Sequence, residues 1–211
     1  MKIRKRDQVH DSVIERVEHV PVGAVELPRA VVRVLHLPGP QLSIALIGRF
    51  VFVGGGHWTA RIDLGVETLP WIASFQVAPT STPARRAWVC IGGALVRELR
   101  DGSLWLDRPP VPCDGKPLAY LLGQIARVSY IGVRKLDLEQ GIALADGHAP
   151  TYFDPKLIAL VITLTGGARV DRRWFRGASA LDPIRCSGKG FEAVIAPRRP
   201  PFKPYVTRDR I

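Results

Sequence analysis

The sequence predicts an α+β, strand-rich fold with an antiparallel sheet, few helices and extended basic termini. Three observations carry this. β-Branched and aromatic runs recur between Gly and Pro turn signals. Only two stretches show clean helical spacing. Both ends are rich in Arg and Lys, and the C-terminal one also in Pro.

Taken in order, residues 1–7 form a basic arm. "DSVIERVEHV" predicts a short helix, because Ser12 and Glu15 make a capping box and Val13, Val17 and Val20 share a face. "AVVRVLHL" (30–37) is β-branched and alternating, a strand closed by "PGP". "QLSIALIGRFVFV" (41–53) predicts a longer strand bent near Gly48. "GGG" (54–56) turns the chain, and "HWTARIDLG" returns as a strand. "WIASFQVA" (71–78) and "RAWVCIGGAL" (86–95) are two more, joined by the polar loop "PTSTPARR". Asp101-Gly102 lies between extended runs, the chemistry of a two-residue hairpin turn. "KPLAYLLGQIARV" is the second helix, with Pro117 in its first turn and Leu118, Leu121, Leu122, Ile125 and Val128 in one stripe. The strand "VSYIGV" follows. "FDPKLIALVITLTGG" carries both a helix start at Asp154-Pro155 and a β-branched run; the run decides for a strand. Residues 197–211 are too proline-rich for an inner strand or a helix and form an extended basic tail. The whole, 1–211, reads as one domain.

Hydrophobic residues make up 46% of the 211, which suits a chain with a packed core. The longest apolar runs are too short or too charged to cross a membrane, and no apolar run follows the basic N-terminus as a secretory signal would. Cys90, Cys113 and Cys186 are far apart and form no C-x-x-C, the pattern of unpaired thiols in a reducing cytoplasm. Net charge is +11. From Ala168 to Ile211 there are eleven Arg or Lys against four Asp or Glu, +7 in that segment alone. Such a balance points to a polyanionic partner, and the excess of Arg suits bidentate phosphate contact.

Catalytic signatures are missing. There is no G-x-S-x-G and no P-loop, since Lys189 is followed by glycine. "GGGHW" lacks the third glycine of a dinucleotide fingerprint. The five histidines, His10, His19, His36, His57 and His148, show no metal-ligand spacing. His57 after three glycines and the Asp146/His148 pair fit a packed loop and a solvated turn better than a base. No enzyme, metal or cofactor is expected.

Two stretches place glycine beside a cation. Gly132, Arg134 and Lys135 precede Gly141 in "YIGVRKLDLEQGIAL", and Gly188 and Gly190 bracket Lys189 in "RCSGKGFEAVIAP". Glycine lets a backbone approach a ligand closely, and its N–H can face phosphate oxygens; a hairpin turn would use the same residues for geometry alone. "RVDRRWFRG" interleaves Arg172, Arg173 and Arg176 with Trp174 and Phe175, which can hold phosphates while stacking bases.

These glycine-rich stretches resemble those of the CRISPR-associated RAMP proteins, an RNA-binding superfamily built on ferredoxin-like (RRM-type) domains. "APRRPPFKPYV", which holds Arg198 and Arg199, resembles the proline-rich C-terminal end of the handle-capping subunit of type IV effector complexes. The resemblance covers roughly the last eighty residues. It implies a ferredoxin-like core and a non-catalytic, cytoplasmic subunit that grips the 5′ handle of a CRISPR RNA and caps a filament of backbone subunits, with target DNA or RNA as a further partner. Gly132, Arg134, Lys135, Gly188, Lys189 and Gly190 match its segments; Arg172, Arg173, Trp174 and Arg176 join them on charge. A virion or phage assembly protein with basic arms is the alternative.

Overall fold

The computed structural model describes residues 13–35, 42–55, 57–66, 73–77, 83–90, 93–108, 123, 128–165 and 171–199. With strands numbered along the chain, a five-stranded sheet runs β1 (Val13–Val17), β9 (Leu104–Arg108), β8 (Leu95–Leu99), β7 (Ala84–Val89), β2 (Val25–Glu26). An eight-stranded sheet runs β10 (Tyr130–Gly132), β14 (Arg173–Gly177), β15 (Ile184–Gly188), β16 (Phe191–Ile195), β5 (Trp58–Asp63), β4 (Phe50–Gly55), β3 (Leu42–Ile47), β6 (Ala73–Val77). A small sheet joins β11 (Lys135–Asp137), β12 (Ile142–Leu144) and β13 (Thr151–Tyr152). Two helices, α1 (Arg29–Val34) and α2 (Pro155–Leu164), contact each other; α1 lies on β7, and α2 on β5 and β16.

One apolar core joins these layers. Val31 and Val34 of α1, Ile44 and Leu46 of β3, Val51 and Val53 of β4, Val89 of β7, Ile158 and Val161 of α2 and Ile184 of β15 are all fully buried in it. On the same side of the five-stranded sheet, Arg97 and Asp107 are buried as a pair, Nη2 to Oδ2 3.6 Å. Burial pulls the Arg97 pKa down and Asp107 opposes that shift. The other side of this sheet carries a second cluster of Trp88, Val96 and Leu106, on which Val17 and Val20 pack.

The strand-rich character holds, but the ferredoxin-like core does not. That fold is one small antiparallel sheet built in the order β-α-β-β-α-β, with a helix after its first and third strands. The antiparallel pairing agrees with it, but the described strands form sheets of five, eight and three strands in another order. From β3 to β9 strand follows strand with no helix among the described residues.

Three elements exchange identity. The expected helix over "DSVIERVEHV" is β1, paired with β9 from Val13 opposite Arg108 to Val17 opposite Leu104. A capping box is a local preference of about 1 kcal/mol and yields to such a ladder. The expected strand over 30–37 is α1: Val31, Val32, Val34 and Leu35 are buried while Arg29 and Arg33, four apart, face solvent. The expected strand at 153–167 is α2. Asp154 caps it by accepting from Lys156 N at 2.9 Å, and Pro155 opens its first turn. In both helices burial on a 3.6-residue period outweighs the strand preference of Val and Ile.

Elsewhere the differences lie in the turns. The long strand over 41–53 is a hairpin, β3–β4, with Gly48 at φ +57 between Ile47 and Phe50. The strand over 86–95 stops at Val89, and β8 starts at Leu95. The Asp101-Gly102 hairpin exists, but Leu99 N bonds Ser103 O at 2.9 Å, so three residues form its loop, with Gly102 in the left-handed region. Strands β5, β6 and β10 fall where expected. The basic arm (1–7), the helix at 116–128 apart from Gly123 and Val128, and the tail beyond Arg199 lie outside the described residues.

Gly141 holds the small sheet to the helix. It sits at φ +68, its N–H bonds Asp137 O, and its carbonyl accepts from Phe153 N at 2.7 Å. A Cβ there would stand 2.1 Å from Phe153 O. Gly141→Ala is therefore expected to lower unfolding free energy by about 2–4 kcal/mol in urea titrations, from left-handed strain plus the clash. A loss below about 0.5 kcal/mol would show that the β11–β12 turn gives way freely.

Candidate functional site

The basic residues of the C-terminal third do three different jobs. The first is structural. Arg172 reaches back to the C-terminal end of α2, Nε donating to Thr165 Oγ1 at 2.8 Å and Nη2 to the carbonyls of Ile162 and Thr165 at 3.1 and 3.3 Å. Those carbonyls are the acceptors a helix end leaves without partners, so the guanidinium acts as a cap. Arg176 is 1% exposed and donates to the carbonyls of Gly177 and Ala149. Burial holds its pKa below the usual value for arginine. Trp174 is half-buried and packs on the main core. Arg198 donates to Gln140 O at 3.0 Å, and its N–H bonds Tyr152 O, which ties the chain to β13.

The second job is turn geometry. Gly188 pairs with Phe191, and Lys189-Gly190 form the two-residue turn of the β15–β16 hairpin, with Gly190 at φ +77. Gly190 O accepts from Asp63 N at 2.7 Å, which docks the turn on the end of β5. A Cβ on Gly188 would meet the Phe191 ring at 2.4 Å. Gly132 pairs with Phe175 on the edge strand β10.

The third job is left to the cations that project. Arg173, Lys135, Lys189 and Arg199 are exposed. Arg134 is exposed and pairs with the equally open Asp146 at 3.0 Å. Arg134, Arg172, Arg173, Trp174 and Phe175 line one open cleft of about 440 Å³. Arg173 also lines a second, of about 390 Å³, with Ser187, Gly188 and Lys189. Arg176, Gly132, Gly190, Arg198 and Arg199 line neither.

Two features escaped the sequence. One is a ladder on the face of the eight-stranded sheet opposite the main core. Arg61 Nη2 lies 2.9 Å from Glu192 Oε2, and Arg185 Nε 2.7 Å from Glu192 Oε1. Arg185 also covers the Tyr130 ring, and Arg61 the Phe50 ring, at 5.6 and 5.0 Å. Burial pushes the Tyr130 phenol up to about 12, against the pull of Arg185. Arg49 pairs with Asp63 beside it, and that hydrogen bond holds the carboxyl below its usual value. The other is the helix pair. Arg29 and Arg33 on α1 and Lys156 on α2 are exposed and make no ion pair among the described residues. Neither helix contains an acidic or aromatic residue. The i, i+4 spacing of Arg29 and Arg33 was the available signal, masked by the strand reading.

The described residues hold no group of three His, Cys, Asp or Glu side chains able to bind a metal. None of the described helices is long and apolar enough to cross a membrane. His57 is exposed, and Asp146-Gly147 is a turn with Gly147 at φ +72.

No protein-family model matches the chain, and no curated protein matches it. Its fold is similar to solved DNA polymerase clamps and beta subunits. The DNA polymerase sliding clamp of Bacillus subtilis shares 12% identity over 87% of this chain and 67% of its own, with a TM-score of 0.45. The DNA polymerase III beta chain of Streptococcus pneumoniae shares 10% over 93% and 69%, TM-score 0.43. The beta subunit from the DNA polymerase of Streptococcus pyogenes shares 11% over 88% and 68%, TM-score 0.43. The chain thus spans about two thirds of the length of each. At these values the likeness assigns no activity. The CRISPR reading is nonetheless overturned: sheets of five and eight strands, with no helix from β3 to β9 among the described residues, are not the β-α-β-β-α-β core of a RAMP protein. The CRISPR RNA and effector-filament partners fall with it, and the virion alternative finds no support.

Arg172→Ala is expected to cost about 1–3 kcal/mol of stability, because two helix-end carbonyls and a buried threonine lose their donor. Lys189→Ala should stay within about 0.5 kcal/mol of wild type. Urea unfolding of both variants checks this; a silent Arg172→Ala would remove the capping role.

Proposed function

We propose that the chain is a non-catalytic DNA-binding protein that grips the phosphates of a duplex through its helix pair. One observation carries this. Arg29, Arg33 and Lys156 stand on two contacting helices that hold no acid, whereas Arg49, Arg61, Arg86, Arg97 and Arg185 of the sheets are paired with Asp63, Glu192, Glu26 and Asp107. Unpaired charge is what a polyanion meets, and the chain carries +11 overall. The choice of duplex follows from the missing rings. Single-strand binding stacks bases on exposed aromatics. The helix pair offers none, and Trp174 is held in the core. A surface of cations without rings meets phosphates alone, and a duplex presents phosphates while hiding its bases. The binding is accordingly independent of sequence.

The test is fluorescence anisotropy with a labelled duplex of mixed sequence across a salt series. Three to five phosphate contacts give a slope of about −2.7 to −4.5 in log K against log salt. Arg29→Glu/Arg33→Glu/Lys156→Glu should weaken binding at least about tenfold at one salt with its melting temperature kept. The duplex should be recovered uncut. Salt-independent binding, or full affinity in the folded triple variant, would sink the proposal.

A further inference from the structure

The cleft beside Arg173 has an architectural cause. Strand β10 follows β14 only as far as Gly132 opposite Phe175, with one last bond from Val133 N to Trp174 O at 3.0 Å. There the chain leaves the large sheet, and Arg134 N bonds Leu144 O in the small one. The start of β14 has no strand beside it on that side among the described residues. The fork between the departing chain and β14 is the 440 Å³ cleft. Its lining mixes the apolar residues Val133, Leu136, Trp174 and Phe175 with Arg134, Arg172 and Arg173.

These cations differ in readiness. Arg172 is fixed by its bonds to the end of α2, so it is held in place before any ligand arrives. Arg173 is exposed and makes no ion pair among the described residues. Among the described residues Arg134 makes an exposed pair with Asp146, which contributes little and exchanges readily for a stronger anion. Arg173 also faces the neighbouring 390 Å³ cleft with Lys189 and Ser187, so the two clefts share one cation. Four cations, Arg134, Arg172, Arg173 and Lys189, stand against two carboxylates, Asp146 and Asp171, and leave a net charge of +2 over the two clefts. They suit an anion with several charges in series.

We infer that this fork is a binding site for a chain of phosphate groups, with Arg173 at its centre and Arg134 and Lys189 at its two ends. Two sources share that chemistry: a free nucleoside polyphosphate and the 5′-phosphorylated end of a DNA strand. The inference stands independently of the helix-pair reading.

The experiment uses the full chain and isothermal titration with inorganic tripolyphosphate, then with ATP, then with short duplexes with and without a 5′ phosphate. Tripolyphosphate should bind with 1:1 stoichiometry. Arg173→Glu should weaken it by about ten- to a hundredfold, and Lys189→Glu by less, with melting temperatures unchanged. Arg173→Lys should recover part of the loss. The variant reversed at Arg29, Arg33 and Lys156 should bind tripolyphosphate as wild type does. ATP binding well above tripolyphosphate identifies a free nucleotide, and preference for the 5′-phosphorylated duplex identifies a strand end. No tripolyphosphate binding, undiminished binding by Arg173→Glu, or loss in the helix-pair variant would each overturn the site.

Discussion

Strand β16 pairs with β5 from Phe191 opposite Ile62 to Ile195 opposite Trp58, and most of the molecule hangs on that seam. It splices the strands of residues 42–77 to those of residues 130–195 and makes one eight-stranded sheet of them. α2 rests on both strands of the seam, and α1 rests on α2. On the opposite face the same strands supply Glu192 and Arg61, so an ion pair spans the join. Residues far apart in sequence meet here without turn, cap or local spacing to announce them, and their pairing stands only because apolar side chains on one face are removed from water together.

That is also why the overall architecture stayed hidden while several of its parts did not. Asp101-Gly102 was legible because a hairpin turn is chosen by a few adjacent residues, and only its loop length differed. Strands β5 and β6 were legible from composition. Residues 30–37 and 153–167 were not, because Val and Ile favour strands in isolation and helices when one face is wholly buried. Asp154-Pro155 held the correct answer locally and was outvoted. "DSVIERVEHV" failed in the opposite sense, since β9 supplied a partner no window of ten residues contains.

At the site, charge was legible and its use was not. Arg172, Arg173 and Arg176 look alike in "RVDRRWFRG", yet one caps a helix, one projects and one is enclosed. Strand alternation turns Arg173 and Arg176 to opposite faces of β14, and Arg172 lies just before the strand. The same sorting runs through the molecule. Arg49, Arg61, Arg86 and Arg185 lie along rings of Phe, Trp or Tyr and beside carboxylates, so their side chains serve largely as cover for sheet faces. Net charge alone therefore overstates how much cation a partner can meet.

The buried Arg97–Asp107 pair has a different consequence. Arg97 and Asp107 lie diagonally across β8 and β9, on the core side, while Val96 and Leu106 between them point into the second apolar cluster. Slipping either strand by one residue would exchange these sets. A guanidinium or a carboxylate would then enter the cluster of Trp88 and Leu106 with no counter-ion, an arrangement far worse than the native pair. Sheets built mainly from Val, Leu and Ala tolerate sliding, because one aliphatic side chain replaces another at little penalty. Here two opposite charges make misalignment prohibitive. The pair acts as a key that fits in one position only, and its value lies in the alignments it forbids.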